Sequence, residues 1–295
     1  MRRHVFLRLR ATTWSRTSAI PHTIASLVSG NEGSWTIIFH MPTIDQRFHH
    51  ELEVFRNETE GCAQFLFALL SVHETLNRDR KVRALLNRAP LFWQTCMGAL
   101  QTSTFITLGR IFDSGSPYNI SKLMRLATDR NSDLFSKAAL ERRKMAGKSE
   151  RPVWLDDYLK TAYEPTPDDF RRIRKRVQKW RAIYEANYRD VRHQMFAHKG
   201  AADPAEVAVL FSKGNYQELR RMCAFLGSVH ETLWELFVNG RKPMLRQAKY
   251  SVSRLRLHPK FAGPSIRSIQ HDVTQDTTAF LKFVAASQSR VANNL

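Results

Sequence analysis

The residue types that could do chemistry crowd into one window, Tyr188-Arg-Asp-Val-Arg-His-Gln-Met-Phe-Ala-His198-Lys-Gly200. Arg192 is a permanent cation whose planar fork can hold a phosphate bidentately. His198 titrates near neutral pH and can move a proton in a transition state. His193 can serve as a second acid or base, or as a phosphate donor. An arginine with one or two histidines suffices to cleave RNA without metal. A base takes the 2′-OH proton, an acid protonates the leaving oxygen, and the cation stabilises the crowded phosphorane. DNA lacks that internal nucleophile, so the chemistry points to RNA.

The same residues admit a plainer reading. His198-Lys199-Gly200 is also how an ordinary helix ends, with basic residues in the last turn and glycine at C′. The spacing alone is weak, because an arginine followed some residues later by histidine recurs at Arg16 and His22. Geometry adds a difficulty. Six residues on a straight helix set Arg192 and His198 about 120° apart. One phosphate therefore needs either a helix that ends near Ala197 or a partner residue from a second chain.

Other chemistries find little support. No GxGxxG or GxxxxGK[ST] cradle is present, nor HExxH or GxSxG, so no cofactor is expected. His49-His50-Glu51-Leu-Glu53 suggests metal at first sight, but helical neighbours diverge by about 100°, and a solvated polar face is expected there. The cysteines, Cys62, Cys96 and Cys223, are odd in number and far apart, which argues against a disulfide framework or zinc site and for a reducing cytoplasm. The apolar run from Leu91 to Phe112 carries Gln94, Gln101 and Arg110, so it reads as a buried helix, and no membrane association is expected.

Charge narrows the partners. The 295 residues hold 46 Lys+Arg against 27 Asp+Glu, a formal net charge of +19, which favours polyanions, nucleic acid first and an anionic membrane or acidic protein behind it. Arg171, Arg172, Arg174, Lys175, Arg176, Lys179 and Arg181 place seven cations within eleven residues. As a solvated helix face they need no explanation. Yet like charges at i,i+4 cost stability, which favours a phosphate-tracking surface that leads to the motif.

The elements that must position these residues are helical. Cys62, Phe65, Leu66, Leu69, Leu70, Val72 and Leu76 recur at three- and four-residue steps. Asn87 to Pro90 breaks the pattern, and Pro90 opens a helix through Phe92, Trp93, Met97, Phe105 and Phe112 that ends at Asp113-Ser-Gly-Ser-Pro117. Ser121 is expected to cap a short helix. Residues 141–166 look like a charged, irregular insertion. Thr166-Pro-Asp-Asp169 starts a long helix that carries the basic cluster, runs through Trp180, Tyr184 and Val191, and is expected to end at Gly200 and Pro204. Trp180 lies on its apolar seam and is expected in the core. Another helix spans Tyr216 to Val238 and stops at Asn239-Gly240.

Hydrophobic content of 43% supports a sizeable core. The expected architecture is an all-α bundle of four to five main helices within residues 42–242. Residues 1–41 form an Arg- and Ser-rich arm with Met41 as an alternative start. Residues 243–295 form a basic tail with a short helix at Asp272–Val284. Only Trp35–Phe39 and Val207–Phe211 look strand-like. Ser-Val-His-Glu-Thr-Leu occurs at 71–76 and 228–233 without flanking similarity, a coincidence between two helices rather than a repeat.

The window also resembles a family. Arg-His-Gln-Met-Phe-Ala-His is similar to the Arg-x(4–6)-His signature of the HEPN superfamily, α-helical proteins that often act as metal-independent endoribonucleases. Leu108-Gly-Arg-Ile-Phe-Asp113 and Asn239-Gly-Arg-Lys-Pro243 extend the resemblance to the abortive-infection AbiU-like branch, over about residues 45–245. The resemblance implies Arg192 and His198 as the catalytic pair, commonly completed across a homodimer, in a toxin or phage-defence protein with an antitoxin or regulatory partner. His193 stands where many members carry Asn or Asp. Arg110 and Asp113 match the second motif and form a secondary candidate site, although i,i+3 spacing also suits an ordinary ion pair. Arg171, Arg172, Lys175, Arg176, Lys179 and Lys199 are the candidate RNA contacts. The alternatives from other classes are a non-catalytic RNA-binding or dimerisation module on the same scaffold, and a helical adaptor for an acidic protein.

Overall fold

The computed structural model describes residues 24–28, 36–40, 43–129, 133–192, 215–245 and 266–293, with side chains from residue 43 onward and, in the last segment, over 268–287. Two compact units are distinguished, residues 1–47 and residues 48–295. In the first, β1 (Ile24–Val28) pairs antiparallel with β2 (Thr36–His40), with Ile24 opposite His40 and Val28 opposite Thr36. The strand-like run at 35–39 thus becomes the second strand of a hairpin. Val207–Phe211 lies outside the described residues.

The second unit is all-α, as the periodicities require. Helix α1 (Ile44–Arg78) starts on a reciprocal cap, in which Gln46 N–H donates to Thr43 Oγ1 at 3.2 Å and Thr43 N–H donates to Gln46 Oε1 at 2.9 Å. Its buried stripe is Phe48, Leu52, Phe55, Cys62, Leu66, Leu69 and Val72. Asp79 caps α2 (Arg80–Arg88), and Pro90 opens α3 (Pro90–Phe112) from the first-turn position. Helix α4 (Ile120–Ala127) is capped by Asn119, not Ser121. Both are capping types, but the Asn119 amide also donates to Ser114 O (3.2 Å) and Ser116 O (2.8 Å), which locks it at the turn.

Residues 141–166 are more ordered than their composition suggests. Helix α5 (Lys137–Met145) runs into them and α6 (Leu155–Thr161) lies within them. They are tied to the end of a later helix: Arg143 Nε donates to Phe237 O (3.1 Å), Tyr158 Oη to Asn239 O (2.9 Å) and Tyr163 N to Gly240 O (2.7 Å). Gly240 has φ 56°, and a Cβ there would stand 2.7 Å from Leu140 Cδ2, so glycine is required twice over.

Helix α7 (Pro167–Asn187) begins on a full capping box between Thr166 and Asp169. The Asp169 carboxylate also accepts the Tyr163 hydroxyl at 2.8 Å. Burial opposes its charge, but the bonds from Thr166 and Tyr163 prevail and hold it below the usual carboxylate range. A single turn, α8 (Arg189–Val191), follows a break at Tyr188. Helix α9 (Tyr216–Asn239) and helix α10 (Ile266–Asn293) complete the described elements. The tail helix is therefore longer than the expected 272–284. Its Leu281 and Ala285 pack on Val72, Val82, Leu85 and Leu86.

Helices α1, α3, α7 and α9 share the core. Phe48 meets Phe135 (5.3 Å between centroids) and Phe237 (5.0 Å), and Phe135 meets Phe170 (5.4 Å). Phe112 stacks on Tyr184 at 5.3 Å and Trp180 on Phe225 at 5.7 Å, so Trp180 packs inward as expected. Cys62 and Cys223, far apart in sequence, place their sulfurs 3.4 Å apart between α1 and α9.

Candidate functional site

The long helix of the basic cluster does not run through to Gly200; it breaks at Tyr188, whose φ is −127°. The cause is tertiary. The Tyr188 side chain is buried against Phe105, with ring centroids 5.9 Å apart. Its hydroxyl donates to Glu218 Oε1 (2.7 Å) and accepts the Asn215 N–H (3.3 Å). Asn187 Nδ2 adds a bond to the same Glu218 oxygen at 2.9 Å, and the Asn215 side chain caps α9 by accepting Glu218 N–H at 2.7 Å. Burial and the Glu218 carboxylate push the Tyr188 phenol far above its ordinary pKa, so it keeps its proton and this junction holds at any physiological pH. The break is thus nailed to the first turn of α9.

Downstream of the break, Val191 is buried and Arg192 N donates to Tyr188 O at 3.0 Å. These anchors turn the Arg192 side chain onto the C-terminal end of α3. There the Nη2 atom of Arg192 makes an ion pair with Asp113 Oδ2, with only 17% and 18% of the two side chains exposed. Asp113 is the residue that caps α3, its N–H bonded to Gly109 O at 2.8 Å. Gly109 supplies the floor. A Cβ at that position would lie 2.6 Å from Arg192 Nε, closer than real Cβ atoms approach, and 3.0 Å from Cζ, so the arginine side chain would have to shift. Glycine inside a helix is unfavourable by roughly 0.5–1 kcal/mol relative to alanine. Here it gives the guanidinium room to lie flat on the helix.

Tyr184 closes the remaining side. Its ring stacks on Phe112 and is fully buried. Burial first, then the charge of Asp113, raise its phenol well above the ordinary range, while Arg192 pulls the other way. The phenol therefore stays neutral beside an ion pair whose net charge is zero.

Of the residues singled out from the sequence, Arg192 and Asp113 come together and Arg110 does not join them. Arg110 reaches Glu58 instead, at 3.4 Å and half exposed, so the i,i+3 pairing of Arg110 with Asp113 gives way to two separate ion pairs. His193, His198 and Lys199 lie outside the described residues. On α7, Arg171, Arg172, Arg174, Lys175 and Lys179 are exposed, and Arg176 is partly covered. Arg171 pairs with Asp168 at 2.7 Å, Arg174 with the Thr128 hydroxyl, and Arg176 with Leu245 O at 3.4 Å. Gly109 lies within the Leu108–Asp113 stretch and Tyr188 opens the motif window, but neither was singled out for a role, and Tyr184, Glu218 and Asn215 carry no motif of their own. Glycine in the interior of an apolar helix was the one local signal.

Among the described residues no group of three His, Cys, Asp or Glu side chains is placed to hold a metal ion. No helix there is long and apolar enough to cross a membrane. What the geometry offers is a guanidinium held in one orientation by a carboxylate, on a glycine floor, at the mouth of a helix break. Fixed guanidinium geometry is what bidentate phosphate recognition requires.

No curated protein and no solved structure is significantly similar to the chain. The family model HEPN_AbiU2, described as AbiU2, matches residues 45–255, a span that contains Asp113, Arg192, all of α2 to α9 and all but the first residue of α1. With most of its length so matched, and with an all-α core that fits, the chain belongs to the AbiU2 family of HEPN proteins.

Proposed function

We propose that the protein is a metal-independent endoribonuclease of toxin or phage-defence type, built around Arg192 and His198. The observation that carries this reading is the seat of Arg192 on Gly109 beside Asp113, which orients a cation at the start of the motif segment. In the reaction, a histidine base removes the 2′-OH proton and the freed oxygen attacks the adjacent phosphorus. The P–O5′ bond breaks as a protonated group supplies a proton to the departing 5′-oxygen. Arg192 stabilises the extra negative charge of the phosphorane. His198 is assigned the proton transfers, with His193 as the second acid or base. A homodimer would bring a second copy of the motif to the site and remove the need for one helix to converge both groups. An antitoxin or regulatory protein is the proposed protein partner.

The test is cleavage of labelled RNA in excess EDTA. The wild-type protein should cleave, and His198→Ala should lower the rate by about 10²–10⁴-fold. Equal rates for the two proteins, with the same products, would sink the assignment.

One observation favours a second reading. Arg192 already has a carboxylate partner in a largely covered pair, which suits a structural tie as well as a phosphate clamp. The protein would then bind RNA through Arg172, Lys175 and Lys179 without turnover. Strongly salt-dependent binding with no cleavage, weakened by mutating those three residues and indifferent to His198→Ala, would select it.

A further inference from the structure

At the opposite end of α7 from Arg192 lies an open cleft of ≈ 550 Å³. Its floor is aromatic: Phe135 and Phe170, with ring centroids 5.4 Å apart, both line it. Phe135 is only half-buried, so ring surface faces the opening. Arg171 and Arg174 stand on one wall, and the carboxylates of Asp129, Asp133 and Glu164 stand among the other lining groups. Arg171, Arg174, Asp133 and Glu164 are each held in place. Arg171 pairs with Asp168 at 2.7 Å, and Arg174 bonds the Thr128 hydroxyl. Asp133 accepts from Arg142 at 2.6 Å, and Glu164 accepts the Lys137 N–H at 2.8 Å. A carboxylate has about four lone-pair sites, so Asp133 and Glu164 retain capacity for further donors.

These features select a ligand class. An aromatic floor takes a flat ring; fixed arginines take a phosphate; carboxylates take N–H donors. A nucleotide whose base carries an exocyclic amine has all three. Adenine, cytosine and guanine have such an amine, whereas uracil has none and offers only its N3–H, flanked by two carbonyl acceptors that would face the acids unfavourably. The volume falls within the roughly 300–1,000 Å³ of small-molecule sites.

The surface outside the cleft says how such a nucleotide arrives. Arg171 on the rim is followed by Lys175 and Lys179 at i+4 and i+8, all three exposed. They form one row along α7, with about 6 Å of rise between neighbours. That step is close to the phosphate repeat of an extended single strand, on the order of 6 Å when the bases are unstacked. In a duplex the bases are stacked and paired, and none could enter the cleft.

We propose that this cleft is a nucleotide subsite for single-stranded RNA, in which an amine-bearing base lies on Phe135 and Phe170 while its phosphate meets Arg171 and Arg174. The strand then follows Lys175 and Lys179 along α7 toward Arg192. This rests on the reading of RNA as substrate and adds strand form and base preference to it. Helix α7 has 21 residues and spans about 31 Å, so a strand of roughly six nucleotides or more reaches from cleft to motif.

The experiment uses the full-length His198→Ala protein in EDTA, with fluorescence anisotropy of end-labelled RNA. Ten-nucleotide adenylate should bind at least tenfold more tightly than ten-nucleotide uridylate, and more tightly than three-nucleotide adenylate. Arg171→Ala with Arg174→Ala should remove most of that advantage and lower the salt slope by about 1.4, two contacts at roughly 0.7 each. Asp133→Asn with Glu164→Gln, which keeps size and fold, should raise uridylate binding toward adenylate. Equal binding of the two ten-nucleotide strands, or no effect of the arginine pair, would overturn the subsite. Adenosine monophosphate bound as tightly as the ten-nucleotide strand would make it a free-nucleotide site and overturn the strand path. Loss of cleavage by the wild-type protein with this binding pattern intact would refute the nuclease reading alone.

Discussion

Replacing Gly109 with alanine isolates the seat of Arg192, because on helix propensity alone the change should stabilise. Gly→Ala in a helix interior is worth about 0.5–1 kcal/mol in favour of alanine. Against that, the new Cβ would stand 2.6 Å from Arg192 Nε and 3.0 Å from Cζ, so the side chain must leave its place and release Asp113. Breaking a fully buried ion pair costs about 3–5 kcal/mol and an exposed one about 0–1. With 17% and 18% of the side chains exposed, a value of about 2–3 kcal/mol applies. The net expectation for Gly109→Ala is a loss of about 1–2.5 kcal/mol, or a Tm lower by roughly 2–10 °C for a domain of this size. Urea denaturation followed by circular dichroism measures it. The decisive comparison is the same substitution in an Arg192→Ala background. With no guanidinium to displace, alanine should then stabilise by about 0.5–1 kcal/mol. A sign that stays the same in both backgrounds would refute the reasoning, since it would mean that Gly109 and Arg192 do not share that space. RNA cleavage by Gly109→Ala should fall about as far as that of Arg192→Ala.

Two further outcomes follow from buried groups. His230 stacks on Trp234 at 6.2 Å, and burial, helped by the charge of Arg56, pulls its pKa down to about 4. Arg56 is itself paired with Glu53 and Glu60. The unfolded chain therefore binds a proton at His230 that the folded chain refuses between about pH 6.5 and pH 4. Stability should fall as pH drops through that window, and His230→Gln should flatten that part of the urea-midpoint profile; an unchanged profile refutes it. For the thiols, Cys62 and Cys223 are fully buried while Cys96 is partly exposed. The hydrogen bond with Cys223, then burial, push the Cys62 thiol well up. N-ethylmaleimide should add to one cysteine in the native protein and to three in urea, by mass spectrometry; rapid native labelling of more than one would contradict the α1–α9 packing.

What could be read from the sequence was local. Pro90, the Thr166-Pro-Asp-Asp169 start and the Gly240 stop are decided by backbone chemistry within a turn, and each lies where that chemistry puts it. The break at Tyr188 was not legible, because Tyr184, Tyr188 and Val191 continue the apolar period without a stumble. Only a hydroxyl bonded to Glu218 and Asn215, far along the chain, ends the helix there. Residues 141–166 misled for a related reason. Gly147, Pro152 and Pro165 read as loop, whereas Arg143, Tyr158 and Tyr163 borrow their order from the end of α9. In the candidate site, Arg192 and Asp113 each stood out by motif, but their pairing is a tertiary fact. Spacing suggested Arg110 as the partner of Asp113; the fold gave Arg110 to Glu58. The thiols repeat the lesson, since three scattered cysteines gave no hint that two would touch.

The bond between Tyr188 and Asn215 also bears on how such a protein can change over generations. It fastens together the two ends of the stretch from 193 to 214, so the length of that stretch is uncoupled from the place of Arg192. Doubling a connection whose ends are already held costs only about 0.6 kcal/mol. Changes of length after the Arg192–Lys199 motif and before Asn215 therefore come at small thermodynamic expense, while the junction keeps the arginine in register. A lineage could vary the part of this stretch beyond Lys199 and still present the same guanidinium.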